Sequence, residues 1–221
     1  MLLQKSAREA LGISLKGHVV IIDEAHNLMD AISNIYSVVI TQAQMKRCRA
    51  QLGTYLQKFR NRLKGKNRIY VTQVVRLLDS LSGFLEGKGS ARRAAEGLVN
   101  VSDLMSGKGV DQINLYKLMR YLVDSKLARK VEGYVAYIEE NEPSTTQKSQ
   151  ASTAPVLTHI QSFLHILTNP ASEGRFFYEK NDSGDLSLKY MLLDPTHHFK
   201  EIVEDARAVI LAGGTMSPVS S

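Results

Sequence analysis

The sequence predicts an α/β fold in which a parallel sheet is interrupted by a mostly α-helical insertion. Two short aliphatic runs indicate the sheet, Val19–Ile22 and residues 208–212, because each is apolar at consecutive positions and is followed by a polar turn. Consecutive apolar residues indicate strands of a parallel sheet that are buried on both faces. Between the two runs, apolar residues recur every three or four positions, which is typical of amphipathic helices. We therefore expect two sheet regions separated by a helical one.

The most informative polar residues follow the first aliphatic run. Asp23 and Glu24 come directly after it, and Ala25 and His26 are next. In an open α/β sheet, ligands bind outside the carboxyl ends of the strands, so both carboxylates are expected at the mouth of a crevice. An Asp there can hold Mg²⁺ against nucleotide phosphates, and a Glu can orient and deprotonate the attacking water. The alternative is a strand that ends in solvated acids.

Length and composition describe an ordinary globular protein. The chain has 221 residues, of which 43% are hydrophobic and 23% charged, enough for one large or two small domains. It has no apolar run of membrane-spanning length and no signal-peptide pattern, so we expect an intracellular protein without membrane contact. A single cysteine, Cys48, excludes any cysteine-based zinc or iron–sulfur site made by this chain alone. Its helical spacing with Met45 and Leu52 favours a core position over a nucleophile.

Positive charge is concentrated in one segment. The net charge is +6, yet residues 42–78 contain ten basic residues and no acid. Periodicity predicts a helical hairpin here, with helices at 42–63 and 69–85. Clustered positive charge without balancing acids indicates contact with a nucleic-acid backbone, and the alternative is a solvated face. The candidate contacts are Arg49, Lys58, Arg60, Arg62, Lys64, Lys66 and Arg68.

The remaining patterns are less informative about function. They predict helices at 3–12, 27–35, 113–138 and 156–167, a polar connection at 86–109, a polar linker at 139–154 and a β-hairpin at 175–193. Residues 38–40 fit a strand or the entry to a helix. His197 and His198 lie near the start of a last short helix. A metal hydrolase that uses these histidines with Asp23 and His26 stays open as an alternative, although the spacing is not that of a metal-ligand set.

Three stretches carry a resemblance to a known family. VVIIDEAHNL resembles the DEAH box of XPD-like, iron–sulfur superfamily-two helicases, and GGTMSP at 213–218 resembles the later motif of that family, commonly S-G-T-[LM]-S-P. GGTM and the run DQINLYKLMR at 111–120 are similar to the chromosome-loss, or ChlR-type, helicases of sister-chromatid cohesion. The resemblance covers nearly all of the chain.

The resemblance implies a domain organisation. In this family both strands belong to one RecA-like sheet of the P-loop NTPase type, and a mostly helical Arch domain is inserted between them. The chain would then divide into the first part of RecA-like domain 1 with the DEAH box at 1–41, an Arch-like insertion ending in a polar linker at 42–153, and a return to RecA-like domain 1 at 154–221.

The resemblance also implies roles for individual residues. Asp23 would position Mg²⁺ with the nucleotide, Glu24 would activate water beside the metal, and His26 would link the site to neighbouring motifs. Gly214 and Thr215 would help to couple ATP hydrolysis to movement along DNA. The Arch would contribute to a passage for single-stranded or forked DNA, and the protein would be nuclear, with replication and cohesion proteins as partners.

Several family features are missing from the sequence. None of its three Gly-Lys pairs lies in a G-x-x-x-x-G-K-[ST] frame, so there is no P-loop. The cluster cysteines, the second RecA-like domain and its arginine finger are also absent. We therefore expect a helicase fragment, in which Met1 is an internal methionine or a gene-model start. This fragment should not hydrolyse ATP alone, because positioning supplies most of phosphoryl-transfer catalysis. The alternative is a non-catalytic helical DNA- or protein-binding module with a vestigial DEAH box.

Overall fold

The chain divides into two compact units. The computed structural model describes residues 2–90, 96–107, 109–141, 156–168, 173–180 and 184–213. Unit 1 comprises Met1–Ser37, Ala171–Arg175 and Met191–Ser221, and unit 2 comprises Val38–Pro170 and Phe176–Tyr190. The α/β class with a parallel strand pair and a mostly helical middle region is confirmed.

Unit 1 contains the parallel strand pair. Its elements are α1 (Lys5–Ala10), β1 (Val19–Ile22), a 3₁₀ turn (Ala25–Asn27), α2 (Leu28–Tyr36) and, late in the chain, α9 (Thr196–Asp205) and β6 (Ala208–Leu211). β1 and β6 pair in parallel, with Val19 opposite Ala208 and Ile22 opposite Leu211. Leu28, Ile32 and Leu192 form a small buried cluster in this unit.

The expectation that β1 is buried on both faces was wrong for the described residues. Val19 is 50% exposed and Ile21 is 69% exposed, while Ile210 in β6 is 50% exposed. The described two-stranded sheet contains only β1 and β6, so each strand has one partner. Parallel sheets are normally covered on both faces, and this pair is therefore a small piece of such a sheet.

Unit 2 is mostly helical and also contains a second sheet. Its elements are β2 (Val38–Thr41), α3 (Gln42–Lys58), α4 (Gly65–Ser90), β3 (Glu96–Val99), α5 (Val101–Leu104), α6 (Leu115–Ser125), α7 (Leu127–Asn141), α8 (Val156–Ile166), β4 (Gly174–Lys180) and β5 (Leu186–Leu192). The last residues of β5 and the first of β4 belong to unit 1. The strand order is β2-β5-β4-β3, which confirms the predicted hairpin strands as neighbours and makes residues 38–41 a strand.

The hairpin of α3 and α4 organises the core of unit 2. α3 begins with a capping box, in which the Thr41 hydroxyl accepts from Gln44 N and the Gln44 side chain accepts from Thr41 N. Both helices bury one apolar stripe, including Cys48 and Leu52 in α3 and Leu77 in α4. No helix among the described residues is long and apolar enough to cross a membrane.

Two features of unit 2 differ from the sequence predictions. The helix predicted at 113–138 is two helices, because Lys126 adopts the left-handed conformation with φ 51° and ends α6. The connection predicted at 86–109 contains the end of α4, β3 and α5.

α8 and most of the hairpin strands pack within unit 2. Phe163 of α8 is fully buried and packs edge-on against Phe176 of β4, which joins these elements.

Candidate functional site

The carboxyl end of β1 is joined to the segment after β6 by backbone hydrogen bonds. Ala212 N donates to Ile22 O at 2.8 Å, which extends the parallel pairing by one residue. Ala25 N donates to Ala212 O at 2.9 Å. The backbone of Ala212 therefore bridges the end of β1 and the turn that carries the acidic residues. Nothing in the sequence indicated this role, because an alanine backbone has no side-chain signature.

Asp23 and Glu24 are both exposed at this edge, as predicted. Asp23 Oδ1 accepts a hydrogen bond from Glu24 N at 2.9 Å, so its carboxylate is oriented by the following peptide. Glu24 lies in the left-handed region with φ 51° and ψ 43°. A residue other than glycine in this conformation costs about 1–2 kcal/mol, so the tertiary structure must hold Glu24 there.

A 3₁₀ turn places His26 against Glu24. Asn27 N donates to Glu24 O at 3.0 Å, which closes the turn. The Asn27 side-chain nitrogen donates to His26 Nε2 at 2.9 Å, so Nε2 acts as the acceptor and the proton of a neutral ring is on Nδ1. His26 Nδ1 lies 3.1 Å from Glu24 Oε2 and can donate to it. The Glu24 carboxylate is thus oriented by the ring, and Asn27 is a positioning residue that the sequence analysis missed.

The donor set at this edge suits a magnesium ion held together with phosphates. Mg²⁺ prefers oxygen ligands and usually keeps water and substrate oxygens beside one or two carboxylates. Asp23 and Glu24 provide two exposed carboxylates, and no group of three or more potential ligands occurs among the described residues. An apolar cleft of about 440 Å³ reaches the site, lined by Val20, Ile21, Ile22 and Asp23 together with Leu2, Leu3, Leu15 and Ile202.

The two neighbouring histidines of α9 have structural contacts. His198 stacks on Tyr36 with the ring centroids 3.8 Å apart, and its other neighbour, His197, is 5.9 Å away. Burial and then Glu201 raise the pKa of Tyr36, so the phenol stays protonated beside the His198 ring. These contacts give no support to the metal-hydrolase alternative.

The two remaining predicted site residues, Gly214 and Thr215, lie outside the described residues, which end at Gly213 in this part of the chain. In the sequence, Gly214 comes two residues after Ala212, whose backbone bonds are described above.

The predicted DNA contacts lie in unit 2 and form two groups. The larger group occupies the end of α3, the connecting turn and the first turn of α4, and we call this stretch, Lys58 to Arg68, the basic connection. All six of its cations are exposed, and none forms an ion pair with an acid among the described residues. They are Lys58, Arg60, Arg62, Lys64, Lys66 and Arg68.

Arg49 differs from the basic connection. Its guanidinium Nε donates to Asp79 Oδ1 of α4, which raises the pKa of Arg49, and the neighbouring Lys46 lies 3.1 Å from Glu86 Oε1. Both acids come after residue 78, so the charge balance is created by the packing of α3 on α4 and is invisible in the composition of residues 42–78. Arg49 is therefore a weaker candidate for DNA contact than the six cations of the basic connection.

Cys48 has no access to solvent. Its side chain is fully buried between the helices of unit 2, and burial followed by the charge of Glu132 raises the pKa of its thiol to about 12. A thiol with this pKa is a poor nucleophile and a poor metal ligand at neutral pH, which confirms its predicted core position.

Comparisons with known proteins agree with the two motifs. Residues 1–45 match the DEAD_2 family model. The chain is 62% identical over 220 residues to the ATP-dependent DNA helicase chl1 of Aspergillus niger, covering all of this chain and 25% of that protein. It is 41% identical over 238 residues to the ATP-dependent DNA helicase chl1 of Schizosaccharomyces pombe, covering 99% of this chain and 28% of that protein.

A solved structure shares the fold. The match is to the structure of S. tokodaii Xpd4, with a TM-score of 0.52 and 15% identity, over 100% of this chain and 40% of that chain. At this identity the likeness concerns the fold alone.

The class of protein follows from the strand pair, the DEAH turn and these matches: an α/β chain with a DEAH-box strand and a helical insertion. The whole chain is similar to one segment of the chl1 DNA helicases, and these matches support an XPD-like, ChlR-type helicase fragment. It spans about a quarter of the length of the curated relatives that it matches.

Proposed function

We propose that this chain supplies the water-activating edge and part of the DNA surface of an ATP-dependent DNA helicase. The observation that carries the proposal is the arrangement at the end of β1, where Ala212 bonds to both Ile22 and Ala25 while His26 orients the Glu24 carboxylate. This arrangement holds a carboxylate at the carboxyl edge of a parallel strand pair, which is where nucleotides bind in open α/β sheets.

The catalytic work is divided between two carboxylates. Glu24 accepts the proton of the attacking water, and the Nδ1–H of His26 keeps its carboxylate oriented. Asp23 would hold Mg²⁺, with Glu24 close by as a second oxygen donor, and the ion would supply positive charge beside the phosphates. Gly214 and Thr215 follow the Ala212 bridge and transmit changes at the nucleotide to the DNA-binding parts.

The basic connection contacts single-stranded DNA through its phosphates. Six exposed cations within eleven residues are typical of a surface that binds phosphates without recognising the bases. The names of the relatives support DNA as the partner and ATP as the nucleotide. From the resemblance we further propose a nuclear protein that acts with replication and cohesion proteins. An iron–sulfur cluster does not fit this chain, because such clusters need several cysteine ligands and Cys48 is single and buried.

The nucleotide half of the proposal can be tested by exchange. The matching segment of the Aspergillus niger relative is replaced with this chain, and DNA-stimulated phosphate release is measured. We expect the exchanged protein to retain most of the activity of the parent and the 221-residue chain alone to show none, because it lacks a P-loop. An exchanged protein that folds and binds DNA but never hydrolyses ATP would favour the non-catalytic module instead.

The DNA half is tested on the chain itself. Charge reversal at Arg60, Arg62 and Lys64 should weaken binding to an oligothymidylate and flatten its salt dependence. The matched control reverses three exposed cations elsewhere, Lys16, Lys117 and Lys200, and should have a much smaller effect. If both variants lose the same affinity, the basic connection is a solvated face without a specific DNA contact.

A further inference from the structure

We propose that the turn between α6 and α7 forms a second part of the single-stranded nucleic-acid surface, through Lys126, Arg129 and Lys130. The proposal rests on the proposed function, since it extends the DNA contact of the basic connection. No sequence pattern indicated it, because the turn lies about sixty residues beyond the basic connection and was predicted as the middle of one helix.

Two contacts with α4 show where α6 lies. The Ser80 hydroxyl donates to O of Leu104, the last residue of α5, at 3.0 Å, and α6 begins eleven residues later. Tyr70 and Tyr121 stack with their ring centroids 4.4 Å apart. Between Leu104 and Tyr121 the chain therefore passes from the middle of α4 to its second turn, which follows the basic connection.

Both turns lie close to this ring contact. Lys126 follows Tyr121 by five residues, and Gly65 precedes Tyr70 by five residues. At a rise of about 1.5 Å per residue, each lies roughly 7.5 Å along its helix from the stacked tyrosines. Lys126 and the start of α4 are thus both within about two helical turns of the same pair of rings.

α7 contacts the end of α3. Phe59, the residue that ends α3, contacts Tyr134 of α7 with the ring centroids 5.1 Å apart. Arg129 and Lys130 precede Tyr134 by only five and four residues, about one turn of helix. Ring contacts therefore link the α6–α7 turn to the basic connection through both α3 and α4, and we call residues 58–68 and 126–130 together the basic end.

The basic end carries nine exposed cations. The three new ones, Lys126, Arg129 and Lys130, have no ion pair with any acid in the part of the chain that the structure describes. The nearby acid Asp124 lies 3.7 Å from Arg120 and is already paired. A concentration of like charge of this kind is repulsive in the free protein and favours an anionic partner that extends over several cations.

The positions of these cations run against local helix stability. Acids are favoured in the first turn of a helix because of the helix dipole, yet neither α4 nor α7 has an acid in its first turn. Lys126 occupies a left-handed position that glycine would fill without strain. Cations at positions that favour other residues indicate a role in binding and not in folding.

A single nucleic-acid strand fits this surface better than an acidic protein segment. Its phosphates repeat at regular intervals along a flexible chain, which matches cations spread over two adjacent turns. The tyrosines beneath the surface are stacked on each other, so they pack the helices and leave the contact to charge. We therefore expect binding that depends strongly on salt and weakly on base sequence.

The test uses the 221-residue chain and an oligothymidylate over a series of salt concentrations. The variant combines Lys126→Gly, Arg129→Gln and Lys130→Gln, and the control combines Lys16→Gln, Lys117→Gln and Lys200→Gln, which removes the same charge. Each phosphate contact contributes about 0.7 to the slope of log K against log salt for single strands, so three lost contacts should reduce the slope by about 2. The control should leave the slope within about 0.5 of the parent.

The outcomes separate this proposal from the proposed function. An unchanged slope in the α6–α7 variant, with a loss in the variant of Arg60, Arg62 and Lys64, would overturn the second contact and leave the first. A parent chain that does not bind the oligonucleotide would overturn both. If polyglutamate binds as tightly as the oligothymidylate, and the α6–α7 variant loses that binding too, the partner of this surface is an acidic protein segment and not nucleic acid. Thermal melting serves as the folding control, and Lys126→Gly alone should not lower the melting temperature.

Discussion

The two units differ in the size of their buried apolar cores. In unit 2, large side chains such as Leu77, Leu81 and Phe163 are fully buried among neighbouring helices. In unit 1, the buried cluster consists of Leu28, Ile32 and Leu192, and both strands of the parallel pair expose aliphatic residues. Unit 2 can therefore be stable from its own core, whereas the strand pair of unit 1 needs further apolar cover to reach the burial that parallel sheets normally have.

The candidate catalytic residues lie in the less buried unit. Asp23, Glu24 and His26 are exposed, and they are held by backbone bonds and by one another. Substitutions at this edge should change activity more than stability, and substitutions in the core of unit 2 should do the reverse. This separation between activity and stability can be tested by substitutions in each unit.

The largest effect is expected from Glu24→Gln. In the exchanged protein described above, the change removes the proposed general base, so DNA-stimulated kcat should fall about 10²- to 10⁴-fold. The amide is nearly the same size as the carboxylate, and His26 Nδ1–H can still donate to its oxygen, so folding and nucleotide affinity should change little.

The matched control for this substitution is Asp30→Asn. Asp30 is an exposed acid of α2 near the same turn, and its neutralisation should leave kcat within about twofold of the parent. If Asp30→Asn lowers kcat as much as Glu24→Gln, the loss reflects the local charge of this edge and no specific role of Glu24.

The second effect concerns stability in unit 2. Leu77→Ala removes a fully buried side chain of α4 and should lower the free energy of unfolding by about 2–5 kcal/mol. Ile69→Ala in the same helix removes a side chain that is 60% exposed and should change it by less than about 0.5 kcal/mol. Urea unfolding followed by circular dichroism measures both, and equal midpoints would show that unit 2 does not depend on this core.

The sequence was sufficient where one local pattern determines the structure. The aliphatic runs predicted β1 and β6, and the alternating runs predicted the hairpin strands β4 and β5. The apolar spacing with Cys48 predicted α3 and its buried face.

The remaining features depend on contacts between distant residues. No Gly or Pro marks the break between α6 and α7. Lys126 adopts the left-handed conformation there, and the packing of the two helices that it joins holds it in place. The pairing of Arg49 with Asp79 depends on the register of α3 on α4. The exposure of Val19 depends on which strands surround β1, and the bridge at Ala212 uses only backbone atoms. None of these has a local pattern that could predict it.

The third effect is a pH dependence of stability that originates in Cys48. Its folded pKa of about 12 is above the ordinary value of 9.0, so the folded state retains the thiol proton more strongly. The stabilisation is fully present below pH 9 and is lost as pH rises towards 12, by up to about 1.4 kcal/mol per pH unit. Cys48→Ala should be less stable at pH 7 but should lose less stability between pH 9 and pH 10.5, as measured by urea unfolding.

Thiol reactivity gives an independent measurement of the same burial. The folded chain should react with a thiol reagent at pH 8 far more slowly than the urea-unfolded chain. Rapid reaction of the folded chain would mean that unit 2 opens readily around α3, contrary to the proposed contrast between the units.

The smallest effect compares the two left-handed residues, one in each unit. Glu24 and Lys126 both have φ 51°, so glycine at either position should be more stable than alanine by about 1 kcal/mol. The glycine–alanine difference isolates the backbone, because both substitutions remove the side chain. If alanine is equally stable at one position, the left-handed conformation does not persist there in solution. Equal differences at both positions would show that unit 1 holds the turn at Glu24 as firmly as unit 2 holds the α6–α7 turn, even though the core of unit 1 is much smaller. In that case the backbone bonds of Ala212, and not apolar burial, maintain the geometry of Glu24.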